Sequence, residues 1–217
     1  MNVHSLSSAD VRMPATAPAR RAPRTQHTGD KHDLIIKAAT KLFARRGFFN
    51  AQVADVAREA GIAAGTVYLY FESKDDLLIS IFERTMHEGL EAGRQALAGV
   101  SDPVERLRRL AQVHLQRLGQ DRDLAVVFQV ELRQTTKFME RFSSTLLKDY
   151  LHAIRDAIAD AQTAGVFRRD VSPTFAAKML YGGLDEMATN WILSRRRYAL
   201  AAQADEVVDL FVNGMKT

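Results

Sequence analysis

The chain has 217 residues, 26 % charged and 47 % hydrophobic, the balance of a folded globular protein rather than a disordered one. It contains no cysteine, which excludes disulfide scaffolds, thiolate nucleophiles, cysteine zinc sites and iron–sulfur clusters together. The formal net charge is +4, and no stretch concentrates it: four arginines face two aspartates in residues 1–30, seven basic side chains face six acidic in 31–80, and 19 face 18 in 81–217.

A nucleic-acid partner therefore requires positive charge arranged on one face rather than supplied in bulk. No apolar run is long enough to cross a bilayer, and no secretory pattern opens the sequence, so a cytoplasmic protein without a membrane partner is expected.

Residues 1–30 hold Pro14, Pro18 and Pro23 among Ala, Ser, Thr and Arg. They offer too little apolar surface to offset the entropy of ordering and read as a disordered tail, either solubilising or adding phosphate contacts through Arg20, Arg21 and Arg24. From Lys31 the apolar spacing is helical. Leu34, Ile35, Ala38, Ala39, Leu42 and Phe43 recur at three and four, and Gly47 stops that helix. Short helices are expected at about 52–60 and 64–71. Ser73, followed by Lys74, Asp75 and Asp76, caps a long helix to about 98, and Asp102–Pro103 opens the next. Further helices read at about 121–132, 136–163, 173–195 and 203–215, with breaks at Gly119, Gly165 and Ser172–Pro173. No alternating run exceeds a few residues, so the fold class is all-α.

Residues 53–71 carry the strongest signal. Two short helices crossing steeply need a small residue at their closest approach, which Ala57 supplies, and a positive-φ residue in the turn, which Gly61 supplies. Val56, Ala60, Ile62, Val67 and Tyr70 form the inner face. Ala64, Gly65, Thr66 and Tyr68 are left on the outer face, at the end of a recognition helix that enters the major groove. Thr66 can hydrogen-bond a phosphate or base edge, and Ala64 can pack on a thymine methyl. Gly65 lets the backbone approach the duplex. Tyr68, Tyr70 and Lys74 reach towards phosphates, and Gln52 lies beside the flanking backbone.

Lys31 to Leu78 closely resembles the DNA-binding domain of TetR-family transcriptional repressors. The likeness runs through Ile35–Ala38–Ala39–Leu42–Phe43, Arg46–Gly47–Phe48, Val53–Asp55–Val56–Ala57, Ala60–Gly61, Gly65–Thr66–Val67–Tyr68–Tyr70–Phe71 and Ser73–Lys74–Asp76–Leu77–Leu78. One departure stands out. Many members have a hydroxyl residue ahead of Val53, where this chain has Ala51 and Gln52, so Asn50 becomes the candidate cap and Gln52 the candidate phosphate contact. The resemblance implies a three-helix DNA-binding domain at 31–78 and a helical domain at 79–217 that binds an effector and forms a homodimer on double-stranded operator DNA.

The C-terminal segments suit that expectation. Gly182 and Gly183 stand mid-helix, where each costs about 1 kcal/mol against Ala and usually marks a close approach. Val207, Val208, Leu210, Phe211 and Val212 give the last helix more apolar surface than a lone covering helix needs, suggesting a four-helix interface between two copies.

Glu131–Lys137 and Leu184–Ile192, with Thr66–Phe71 and Lys74–Ser80, are similar to the TetR-type FadR repressors of fatty-acid degradation. That likeness implies long-chain acyl-CoA as the effector and no cofactor or metal. Such a ligand needs an apolar tunnel with a basic mouth. Phe128, Leu132, Phe138, Leu184, Met187 and Trp191 are the tunnel candidates. Arg133, Gln134, Lys137 and Asn190 are candidates for the polar end, with Arg106 and Arg109 as further head-group candidates; an apolar stripe at helical spacing is also what ordinary core looks like.

Two alternatives stay open: a TetR-like repressor of an efflux or stress operon answering another hydrophobic molecule, and a helical enzyme. Against the enzyme, His87, His114 and His152 have no metal-ligand spacing, and Asp185 and Glu186 point to different helix faces.

Overall fold

The computed structural model describes residues 24–134, 138–140 and 146–217, and these are helical with a single isolated bridge between Phe167 and Lys216. Nine α-helices, two of them led or followed by a 3₁₀ turn, make up the described elements: α1 (Arg24–Arg46), α2 (Val53–Glu59), α3 (Ala64–Val67), α4 (Lys74–Leu97), α5 (Pro103–Gln120), α6 (Arg122–Gln129), α7 (Leu146–Thr163), α8 (Pro173–Leu193) and α9 (Ala204–Met215). The 3₁₀ turns are Glu131–Gln134 and Leu200–Gln203. Helix α1 also takes in Arg24–Asp30, which the sequence reading assigned to the tail. The rest of the expected tail, residues 1–23, lies outside the described residues, as do parts of the helix expected at 136–163.

The capping chemistry explains the boundaries. Ser73, Asp102 and Asp121 each accept a bond from a backbone N–H three residues on, opening α4, α5 and α6. Pro173 occupies the first turn of α8. The break expected at Gly119 falls at Asp121, two residues on. A side chain at Gly119 would meet the Leu200 Cβ at 3.1 Å, so glycine serves the close approach of the second 3₁₀ turn to α5.

Helices α1 to α3 and the start of α4 enclose one end of the core around Ile35, Phe43, Phe48, Val56, Val67 and Leu77. Helix α4 continues out of that end and packs along α5 and α7. Helices α5, α7 and α8 complete the larger end around Leu107, Leu115, Ile154, Ile158 and Leu184. Helix α6 packs on α1, so the two ends meet through α4 and through the α1–α6 contact.

Candidate DNA interface and effector cavity

Helix α2 ends in a Schellman turn. Gly61, at φ +67°, donates to Arg58 O at 3.2 Å, and Ile62 donates to Ala57 O at 2.9 Å. This turn reverses the chain onto α3 and buries Val56, Ala57, Ala60, Val67 and Phe71 on the shared face. Helix α3 proper is four residues, with turns continuing to Phe71 through bonds from Leu69, Tyr70 and Phe71. Gln52, Ala64, Gly65 and Tyr68 are exposed, and Thr66 and Tyr70 are half-buried. Tyr68 is 57 % exposed, and its neighbour Leu69, which the sequence reading passed over, is 81 % exposed. Leu69 lies opposite the buried Val67 and Phe71 on the helical turn, which is the signal that identifies it as an outward residue.

The loop between α1 and α2 differs from expectation. Asn50 does not cap α2; its side-chain amide donates back to Arg46 O at 3.1 Å and closes the end of α1. Gln52 holds the N-cap position without a side-chain capping bond. Lys74, expected near phosphates, directs its Nζ to Phe48 O (2.7 Å), Ala51 O (2.9 Å) and Phe49 O (3.3 Å), with the Phe48 ring centroid 4.4 Å away. All three ammonium donors are thus engaged by the loop, and a phosphate contact would have to share them.

The larger end of the core holds a narrow, mostly apolar cavity of about 70 Å³, well below the roughly 300–1,000 Å³ of occupied small-molecule sites, so a ligand would have to widen it. Thr85, Met86 and Leu90 of α4, Val113 and Leu118 of α5, Phe128 of α6 and Leu147 of α7 make its wall largely apolar. An aromatic cluster lines one side: His114 stacks on Tyr150 at 5.5 Å, and Tyr181 meets His114 edge-on at 5.8 Å. Burial raises the Tyr150 and Tyr181 phenols well above their ordinary range and pulls the His114 imidazole down to about 4. The His114 Nε2 is shut off from solvent and has no hydrogen-bond partner among the described residues.

Asp185 is the polar hub of the cavity. It accepts from Arg133 (2.6 Å), from the Gln129 amide (3.0 Å) and from the Tyr181 hydroxyl (3.4 Å). Arg117 also lines the rim and pairs with Glu88 at 2.8 Å.

Of the ligand candidates, Phe128 and Arg133 line this cavity. Lys137 lies outside the described residues. Gln134 turns to Glu131, and Phe138 packs edge-on against Phe48 at 5.4 Å. Leu184 is sealed in the core, Met187 packs against the core from its edge, and Trp191 donates to Tyr198 O with Arg122 over its ring. Leu132 is buried outside the cavity wall, and Asn190 is exposed and donates to Glu186. Arg106 pairs with Asp160 and Arg109 with Glu105.

The reason is the rotation of α8. Tyr181 and Asp185, one turn apart, face the cavity, while the stripe through Leu184, Ala188 and Trp191 faces core. The sequence placed the right helix at the site in the wrong phase. His114, Tyr150, Tyr181 and Asp185 were missed, because polar residues on a core helix are legible only once their partners are known.

An exposed short recognition helix on a helical body with its own apolar cavity, rimmed by arginines, defines a regulator in which one chain joins DNA reading to small-molecule sensing. The chain belongs to the TetR family of bacterial regulatory proteins: that family's model matches residues 35–81, and the model for the C-terminal region of YsiA-like proteins matches 82–214. It is 32 % identical over 185 residues to the fatty acid metabolism regulator protein of Bacillus subtilis (strain 168), covering 85 % of this chain and 95 % of the relative. Among solved structures it resembles the fatty acid degradation regulator FadR from Bacillus halodurans (TM-score 0.80, 34 % identity, 90 % of this chain and 98 % of that one). It also resembles the FadR of Bacillus subtilis in complex with stearoyl-CoA (TM-score 0.79, 31 % identity, 85 % and 99 %).

Proposed function

We propose that this protein is a cytoplasmic homodimeric repressor of fatty-acid degradation genes that long-chain acyl-CoA releases from operator DNA. The observation that carries the reading is the apolar cavity with Arg133 and Arg117 at its edge, in a chain similar over most of its length to a regulator solved with stearoyl-CoA. An acyl tail is matched in polarity by the Met86, Leu90, Val113, Leu118 and Phe128 wall, and a phosphorylated head group by the guanidinium groups.

The role is binding rather than catalysis, as it is for the regulators the chain is similar to. Residues 31–78 form the DNA-reading unit and 79–217 the sensing and dimerising unit, with α4 shared between them. Gln52, Ala64, Gly65, Thr66, Tyr68 and Tyr70 are the DNA contacts, joined by Leu69. On α8, Phe175, Met179 and Leu193 are exposed along one face with Gly182 open between them, and Leu210 is exposed on α9. Pairing this face with its mate would present two recognition helices about 34–36 Å apart, in successive major grooves.

The alternative repressor of an efflux or stress operon would gain from the aromatic wall and Asp185 if its effector were a hydrophobic cation, but Arg133 already pairs with that carboxylate. The test is fluorescence anisotropy on the upstream DNA of the protein's own gene, adding palmitoyl-CoA, palmitate and CoA separately. Release by palmitoyl-CoA alone is expected. Tight binding untouched by all three would discard the acyl-CoA effector and leave the DNA-binding reading standing.

A further inference from the structure

Phe48, in the loop that leads into the helix-turn-helix, is gripped from two sides. Its carbonyl accepts from Lys74 of α4, and its N–H donates to the Glu131 carboxylate at 2.7 Å. Glu131 belongs to the 3₁₀ turn after α6 and is 5 % exposed. The same oxygen accepts from Gln134 at 2.8 Å, which fixes the carboxylate against its own turn.

A buried carboxylate bonded to a backbone N–H eighty-three residues away is costly to leave unpaired, so the bond ties the turn to the loop. Two residues to either side of Glu131, Gln129 and Arg133 reach the other way and hold Asp185 on the cavity wall. Five consecutive residues therefore grip the effector cavity with their ends and the DNA-reading loop with their centre.

We propose that Glu131 is the positioning residue through which the cavity sets the α1–α2 loop, and hence the placement of α2 and α3. The inference rests on the reading of the cavity as the effector site. A ligand that draws Arg133 or Gln129 off Asp185 shifts the turn that carries Glu131. A short bond of this kind tolerates little displacement. Losing it frees the Phe48 N–H and removes the bond that ties the loop to the turn after α6, while Lys74 still holds the loop to α4, so cavity occupancy and loop geometry are linked.

The first arm of the test needs no effector. Hydrogen–deuterium exchange of the Phe48 amide is followed in the intact protein, in Glu131→Ala, and in Arg133→Ala and Asp185→Ala on the cavity side. All three variants are expected to speed exchange at Phe48, by about tenfold or more, with α5 and α7 amides unchanged. Unchanged Phe48 exchange in the two cavity-side variants would overturn the link.

The second arm measures operator affinity with and without palmitoyl-CoA, together with direct palmitoyl-CoA binding by calorimetry. Glu131→Ala is expected to bind palmitoyl-CoA within about threefold of the parent, while the effect of that ligand on operator affinity drops from about 5–150-fold to about twofold. Glu131→Gln, whose amide oxygen still accepts from Phe48, should restore most of it, and it also stands in should Glu131→Ala fold poorly. A full palmitoyl-CoA response in Glu131→Ala would overturn the proposal. Absence of palmitoyl-CoA binding to the parent protein would overturn the effector reading instead, and the exchange arm would still decide the link.

Discussion

Three carbonyls converge on Lys74, and one side chain thereby holds the shape of the DNA-reading loop. Hydrogen bonds to a charged group contribute about 1.5–3 kcal/mol. Lys74→Met keeps the stem beside Phe48 and removes the donors. The expected result is a melting temperature lower by about 3–12 °C in a thermal scan, and an unmoved transition would show that water replaces the ammonium. Tyr68 is the opposite case. It is exposed on the outer face, so Tyr68→Ala should leave stability within about 0.5 kcal/mol. Operator affinity in a gel-shift titration should fall about tenfold, and parent-like binding would move the docking face elsewhere.

His114 adds a pH signature. Its folded pKa of about 4 lies below the ordinary 6.5, so between these values the unfolded chain binds a proton that the folded chain does not. Stability therefore rises with pH through that window and is lost as pH falls, by on the order of 3 kcal/mol at its lower end. Urea midpoints from pH 7 to 4 should fall less steeply in His114→Phe; parallel profiles would contradict the burial.

At the scale of elements, α8 does two jobs with two faces. A side chain at Gly183 would meet Val207 of α9 at 3.7 Å, whereas one at Gly182 would meet nothing within 4 Å. In an isolated chain Gly182→Ala should therefore stabilise the helix by about 1 kcal/mol. If α8 packs on its mate there, the added methyl instead pushes two copies apart. Sedimentation analysis is expected to show weaker dimerisation. Unchanged dimerisation with a raised melting temperature would place Gly182 outside the interface. The last helix is less available than its composition suggests, because Val208 and Val212 are buried within the chain and Leu210 is the open one.

Across the whole molecule, sensing and DNA reading meet along helix α4, where α6 packs on α1, and at the turn after α6. Coupling energies of about 1–3 kcal/mol, the usual range, are comparable with one or two of the bonds found there, so losing one or two is enough to change operator affinity. Arg133→Ala removes a guanidinium from the cavity edge and a partner from Asp185. It is expected to bind operator more weakly than the parent, because the turn after α6 is loosened, and to lose the further response to acyl-CoA. An unchanged calorimetric titration with palmitoyl-CoA would sink the assignment of Arg133 to the head group.

Much of this molecule is legible in local patterns. Helical spacing, the Ser73 and Asp102 caps, Pro173 and the Gly61 turn depend on neighbours within a few residues, so reading along the chain finds them, and with them the outward face of α3 and the family. Which face of α8 meets the cavity was decided only by tertiary packing, since a helix that is apolar on several sides carries no mark of its phase. The same holds for Asn50, Lys74, Glu131 and Asp185. Each is a polar residue whose role is set by partners, some of them dozens of residues away, and spacing records which face a side chain occupies but not which distant group it will meet.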